Sequence, residues 1–230
     1  MLVLGGSTDA GGIADIPATN LVMDLDARSG VTKASDLVSS WIDTVGSFDF
    51  AEATNKPLWV DSLINGIPGV RFDGSNDILK VASTGLVMPL HVFCVWNPVS
   101  YVGQGRVFYA GDTGTTGRSL YGDSATPSFK MVDNAAHSNS ISVANGTWVL
   151  MHAIWDGSNP IYFVLNNGSD VAGVGDALAT EPGNWSLGAR YNGSTFANVE
   201  ITRLFVYSAA QTGANLTSIY NHVSATYGVF

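Results

Sequence analysis

Charge is what this sequence has least of. Only 13% of its residues are Asp, Glu, Lys or Arg, about half the share usual in a globular chain. Cations are the scarcer sign: ten Lys and Arg face nineteen Asp and Glu, a net charge of −9. So acidic a chain is not expected to hold nucleic acid through its phosphates. Glutamate is almost missing, with Glu52, Glu181 and Glu200 against sixteen Asp. Asp without Glu favours turns and caps over helix interiors. The single cysteine, Cys94, excludes an internal disulfide and, inside the apolar run His91 to Trp96, reads as a small buried hydrophobe. No apolar run approaches the ~20 residues of a membrane span. The N-terminus has no basic region ahead of an apolar core, so no classical signal peptide is expected.

What the sequence does have is apolar residues, 46% of the chain, in strand-sized runs separated by turn residues. The clearest is Val70 to Leu79. Val70 and Phe72 alternate with Arg71 and Asp73, the period of a strand with one buried face. Gly74-Ser75-Asn76-Asp77 is a turn, and Ile78 and Leu79 resume the pattern, which predicts a hairpin with Phe72 inward. Further strands are expected at Leu21–Leu25, Leu58–Asp61, His91–Val99, Arg106–Ala110, Arg118–Gly122, Thr147–Trp155, Ile161–Leu165 and Asn198–Tyr207. Gly30 to Ser40 is polar and reads as a loop, with Trp41 and Ile42 returning to the core. Strands at this spacing predict one all-β domain, a two-sheet antiparallel sandwich over residues 21–230. Residues 1–20 are Gly-rich and read as an arm that docks on the domain or on a neighbouring subunit. Leu216, Ile219, Tyr220, Val223 and Tyr227 fall at helical spacing, with Thr212 to cap the start and Gly228 to end it. A short C-terminal amphipathic helix packed on the sandwich follows.

Several segments together resemble the concanavalin A-like, laminin-G-like jelly-roll superfamily of phage and bacterial surface proteins. Asn65-Gly66-Ile67-Pro68-Gly69-Val70-Arg71-Phe72-Asp73-Gly74-Ser75-Asn76-Asp77-Ile78-Leu79 is similar to a segment common there. Trp148 through Trp155-Asp156-Gly157-Ser158, then Leu187-Gly188-Ala189-Arg190, then Ile201 to Tyr207, and finally Leu216 to Gly228 follow in that family's order. The resemblance implies two antiparallel sheets in a jelly roll and leaves the ligand open.

Enzyme chemistry finds little footing in the residues. Laminarinase-type members carry a Glu-x-Asp-x-Glu strand, and the three Glu here stand far apart. Asp24 and Asp26 share one face of a strand, but read better as a polar strand end leading to Arg28. His91, His137, His152 and His222 show no metal-ligand spacing. No Gly-x-Ser-x-Gly elbow, phosphate loop or dinucleotide fingerprint occurs. The chain is therefore expected not to be an enzyme. Calcium is the one cofactor the resemblance raises, through the oxygen-rich loops at Asp112 and at Asp73 with Asp77. For sugar, the aromatic and amide residues are Tyr121, Trp185, Tyr191 and Asn192.

Two functions follow as expectations. One is a structural protein of a phage particle, a capsid decoration, head-fibre or tail-associated module located in the virion. It would be a homodimer or homotrimer, attached to a capsid or tail protein and able to meet host-surface glycan. The other is a free-standing carbohydrate-binding, lectin-like module outside the cell or at its surface.

Overall fold

The computed structural model describes residues 15–101, 103–111, 117–122, 128–133, 136–137, 140–156, 162–166, 168, 171–172 and 183–230. The strands in chain order are β1 (Leu21–Asp26), β2 (Val31–Ala34), β3 (Leu37–Trp41), β4 (Phe50–Ala51), β5 (Leu58–Ile64) and β6 (Ile67–Asp73). Next come β7 (Leu79–Val81), β8 (Leu90–Ser100), β9 (Arg106–Gly111), β10 (Gly117–Gly122), β11 (Ser128–Asp133) and β12 (Ala136–His137). β13 (Ile141–Ser142), β14 (Val149–Trp155), β15 (Tyr162–Leu165), β16 (Val171–Ala172), β17 (Trp185–Leu187), β18 (Asn198–Tyr207) and the helix α1 (Gly213–Tyr227) complete the set.

Pairing sorts them into two antiparallel layers. The first runs β5–β6–β18–β8–β14–β15–β16, and β1 continues beyond β6 along the same edge of β18. The second runs β4–β7–β17–β9–β10–β11, with β12 and β13 on β11. β3, flanked by β2, joins the layers by pairing with β4 and meeting β5 at Leu37 and Leu58. The fold is the expected all-β sandwich with a short C-terminal helix.

β8 shows why its sequence is an unbroken apolar run. Val92, Cys94 and Trp96 enter the core between the layers, with Phe108, Leu120, Trp185 and Leu187 from the second layer. Phe93 and Val95 point the other way and meet Phe205, Tyr207 and the helical Ile219, Val223 and Tyr227. A strand covered on both faces loses the alternation of a half-buried one. α1 thus covers the outer face of the first layer. It starts at Thr212, whose side chain makes no capping bond, and ends at Gly228 in the left-handed region. The Asn65 side-chain amide donates to the Tyr227 carbonyl at 2.8 Å, satisfying one of the helix's terminal carbonyls. The described end of the arm docks beside the helix. Ile16 joins the helical cluster, and Tyr207 OH donates to the Pro17 carbonyl at 2.9 Å. Residues 1–14 lie outside the described residues.

Three expectations are corrected. Val70–Leu79 is not a hairpin. β6 pairs with β5 and β18, while β7 pairs with β17 and β4, so the Gly74–Asp77 turn carries the chain from one layer to the other. A period of two shows which face is buried and says nothing about which neighbour a strand takes. Gly30 to Ser40 is not a loop but holds the β2–β3 pair, turned at Ser35 and Asp36, both at positive φ. Of these two strands only Val38 and Trp41 are buried, three residues apart, so no alternating pattern marks them. Trp41 is buried as expected, but Ile42 is exposed.

Candidate functional site

The best-defined polar hollow, about 360 Å³, opens where β1, β18 and the Arg28 turn meet, lined by Asp15, Asp24, Asp26, Arg28, Ser29, Thr44 and Arg203. Arg203 is buried at 1% exposure and organises it. Its Nε donates to Asp24 Oδ1 at 2.9 Å, its Nη2 to Asp24 Oδ2 at 2.8 Å, and its Nη1 lies 2.9 Å from His222 Nε2. Asp26 receives Arg28 Nη2 at 2.6 Å. Burial acts to discharge Arg203, but the Asp24 carboxylate outweighs it and holds the guanidinium charged. Burial likewise acts to raise Asp26, yet the Arg28 hydrogen bonds and the Arg203 charge keep it low. Asp24 and Asp26 are thus spoken for by guanidiniums, and the hollow is a clamp tying β1, β18 and α1 together.

A second polar group lies under the start of α1. Gln211 N–H donates to His91 Nδ1 at 3.0 Å, His91 Nε2 is 2.9 Å from His152 Nδ1, and His152 Nε2 is 2.7 Å from Tyr220 OH. The backbone donor leaves His91 its proton on Nε2, so the chain of bonds runs one way, His91 to His152 to Tyr220. Protonating either ring would set two donors face to face. Burial, then His152, holds His91 well below its usual range, and burial lowers His152 to about 4. Both histidines are neutral in the fold. Their contribution to stability is present above pH 6.5 and lost as the pH falls toward 4.

The residues expected to bind sugar separate in the structure. Trp185 is fully buried between the layers at 0% exposure, stacked near Phe108 and Trp155, and offers no platform. Tyr121 is buried too, with the Arg106 guanidinium 4.3 Å over its ring. Tyr191 and Asn192 occupy a tight turn in which Gly193 N–H donates to the Arg190 carbonyl at 2.8 Å and Arg190 N–H to Ser194 O at 2.9 Å. Asn192 is exposed and accepts from Ser194 Oγ at 2.7 Å. Tyr191 is half-buried, with Lys80 Nζ 6.0 Å from its ring centroid.

Tyr121 and the turn are nonetheless neighbours through Arg106. Arg106 sits opposite Tyr121 in the β9–β10 pair, while Phe108 and Leu120 beside them face the core. Arg106 also bridges Phe196 in the strand-like segment after the turn, and its N–H donates to Thr195 O at 3.0 Å. Burial and then the Arg190 charge lower Arg106 to about 10. Sequence reading did not single out Arg106 or Arg190. Arg106 opens an expected strand and Arg190 ends the Leu187–Arg190 segment, but only the pairing of distant segments brings them together.

Asp73 and Asp77 serve the layer-crossing turn. Asp73 Oδ1 accepts from the N–H groups of Ser75 and Asn76 at 2.8 and 3.2 Å, and Asp77 Oδ2 from Asp73 N–H at 2.9 Å. A calcium ion there would compete with these bonds. Asp112 lies outside the described residues. Among the described residues no group of three or more His, Cys, Asp or Glu is placed to hold a metal. Burial pushes the Asp77 carboxyl up to about 6, its backbone bond opposing and the Asp73 charge adding to the rise. A raised carboxyl favours the fold at low pH, and that contribution is lost as the pH rises through 6. Asp77→Asn keeps the acceptor and removes the titration. Its melting temperature should match the parent's at pH 4 and exceed it at pH 7 by about 2–4 °C, the effect of roughly 1 kcal/mol in a domain of this size. An equal shift at both pH values would disprove the assignment.

Neither a family model nor a curated protein sequence matches the chain. Solved structures do match in fold. Trypanosoma rangeli sialidase in complex with sialic acid aligns with a TM-score of 0.68 at 15% identity, over 94% of this chain and 35% of the sialidase. Domain 4 of AbnA, a GH43 extracellular arabinanase from Geobacillus stearothermophilus, in complex with arabinotriose, aligns with a TM-score of 0.61 at 15% identity. There the match covers 87% of this chain and 98% of that domain. An arabinofuranosidase complexed with arabinofuranosyl-alpha-1,2-xylobiose aligns with a TM-score of 0.67 at 13% identity, over 83% of this chain and 51% of that one. This chain therefore spans about a third of the sialidase and about half of the arabinofuranosidase. At these identities the likeness is one of fold. It also corrects the expectation that the chain is not an enzyme, because these three structures of like fold come from a sialidase, an arabinanase and an arabinofuranosidase. No helix of the described residues is long and apolar enough to cross a membrane.

Proposed function

We propose that this chain is a glycan-binding β-sandwich domain of the concanavalin A-like type, meeting sugar at the corner formed by Tyr191, Asn192 and Arg190. The observation that carries the reading is the Tyr191–Asn192 turn. It sets a partly exposed aromatic ring between an exposed amide and the partly exposed Arg190 along the chain, the mixture of stacking surface and directed donors that sugar recognition uses. Support comes from the arabinanase domain of the same fold, whose complex holds arabinotriose. We place the binding on a virion or a cell surface, the settings to which the sequence motifs point.

Titration calorimetry of the chain with a panel of neutral and acidic oligosaccharides, arabinotriose among them, tests this reading. Binding is expected, and Tyr191→Ala or Asn192→Ala should weaken it about tenfold, the worth of one good contact, with the melting temperature unchanged. Reducing-sugar release followed in the same samples reports whether the bound glycan is also cut. Failure to bind any member of the panel rules the proposal out.

A second reading, assembly of copies of the chain as in a virion component, is favoured by one feature. Leu37 and Leu58 are paired across β3 and β5, yet stand 46% and 39% exposed. Adjacent exposed leucines on one surface invite covering by a second copy. Light scattering should then give the mass of a dimer or trimer, reduced to that of the single chain by Leu37→Ser with Leu58→Ser. A parent chain that is strictly monomeric would end this reading.

A further inference from the structure

Cations in this chain are few, and five of the ten meet a carboxylate among the described residues. Arg28 meets Asp26, Lys33 meets Asp36, Arg71 meets Glu200, Lys80 meets Glu52, and Arg203 meets Asp24. Arg106 and Arg190 lie outside these pairs. The Arg106–Phe196 and Arg190–Ser194 bridges bring the two into one neighbourhood, where their like charges oppose each other, and among the described residues neither has a carboxylate partner. In a chain with nineteen acidic residues against ten basic ones, two neighbouring guanidiniums without an acid are unexpected on charge grounds alone.

Their hydrogen bonding is also incomplete. Arg106 is only 4% exposed. Beyond the Tyr121 ring, its guanidinium meets one carbonyl, Gln104 O, at 3.0 Å. Its Nε is buried with no partner, and so are Arg190 Nε and Ser119 Oγ. Ser119 stands two residues before Tyr121 on the same face of β10. A desolvated guanidinium with an unmade donor and a like charge beside it is a costly arrangement, and it becomes favourable when an anion completes it. The planar fork of Arg matches the two oxygens of a carboxylate. The half-exposed Arg190 is the member that solvent reaches, and it adjoins Tyr191 and Asn192, the proposed sugar contacts.

We propose that the Arg106–Arg190 pair binds the carboxylate of an acidic sugar residue, so that the glycan taken at this corner is an anionic one. This deepens the glycan-binding reading and rests on it. The carboxylate supplies the missing negative charge, and Tyr191 takes the ring. The remaining cation at the corner, Lys80, is already engaged with Glu52 at 3.4 Å.

The test compares trigalacturonate with neutral arabinotriose by calorimetry at low and high salt, using the parent chain, Arg190→Gln and Arg190→Lys. Arg190 has no side-chain partner among the described residues, so Arg190→Gln should fold normally, as an unchanged melting temperature would verify. Trigalacturonate should bind about tenfold or more tightly than arabinotriose, the worth of a charge-assisted contact. Salt should weaken it, Arg190→Gln should abolish the preference, and Arg190→Lys should restore part of it. Equal affinity for the two sugars, or a preference that survives Arg190→Gln, would overturn the acidic-sugar assignment and leave glycan binding standing. Competition by inorganic phosphate as strong as by the uronate would overturn it as well, showing a simple anion site. Binding of neither sugar, nor of any other glycan, removes both readings together.

Discussion

Arg203→Ala should cost about 3–5 kcal/mol, the loss seen when one partner of a buried ion pair is removed. Arg203 lies 1% exposed among Asp24, Asp26 and His222. Without it, the Asp24 carboxylate is buried with no counter-charge, whereas Asp26 keeps Arg28. Burial already raises Asp24 against the pull of Arg203. In the variant Asp24 escapes its penalty by taking a proton, so the loss should shrink as the pH falls to 4. Urea unfolding at pH 7 and pH 4 measures both effects. A cost below about 1 kcal/mol, the range of exposed ion pairs, would show that the network is not the clamp described.

Gly188→Ala is the second large effect. Gly188 has φ of +79°, and a Cβ there would fall 2.1 Å from Phe72 Cδ1. The left-handed backbone costs a residue with a side chain about 1–2 kcal/mol, and overpacking adds about 1–3, a sum near 3 kcal/mol. Phe72, fully buried between the layers, should itself cost about 3–5 kcal/mol when cut to Ala. The two are one interlock, so the double variant should lose less than the sum, because the cavity left by Phe72 accepts the new methyl. Additive losses would mean that the glycine is held by its backbone angle alone.

The parts of the fold that read directly from the sequence are those where burial leaves a pattern. β8, β14 and β18 are apolar because both their faces are covered, and the stripe from Leu216 to Tyr227 is the face α1 lays on Phe93 and Phe205. Cys94 and Phe72 are in the core for the same reason. What the sequence conceals is partnership. Nothing in Gly74–Asp77 distinguishes a hairpin from a crossing between layers, since both need the same turn residues. The β2–β3 pair is hard to see because its polar Thr32, Lys33, Ser39 and Ser40 and its exposed Ala34 and Leu37 interrupt the alternation, leaving only Val38 and Trp41 buried. The corner with Arg190 was half legible. Tyr191 and Asn192 stand out beside a glycine, whereas Arg106 reaches them only through pairings among β9, β10 and the segment around Phe196. Trp185 misled for the opposite reason. Next to Asn184 it has the composition of a sugar site, but its strand is an interior one, paired with both β7 and β9.

The position of β18 bears on how the protein is made. It holds β1 and β6 on one edge and β8 on the other, yet it comes after all of them in chain order. Until it emerges, the first layer is divided into pieces with open edges, and the Arg203 clamp and the α1 cover are both missing. Strands that must wait for so distant a partner fold slowly and expose edges on which neighbouring nascent chains can pair. The first layer of this domain is therefore an incomplete sheet until the strand that unites β1, β6 and β8 is available to pair.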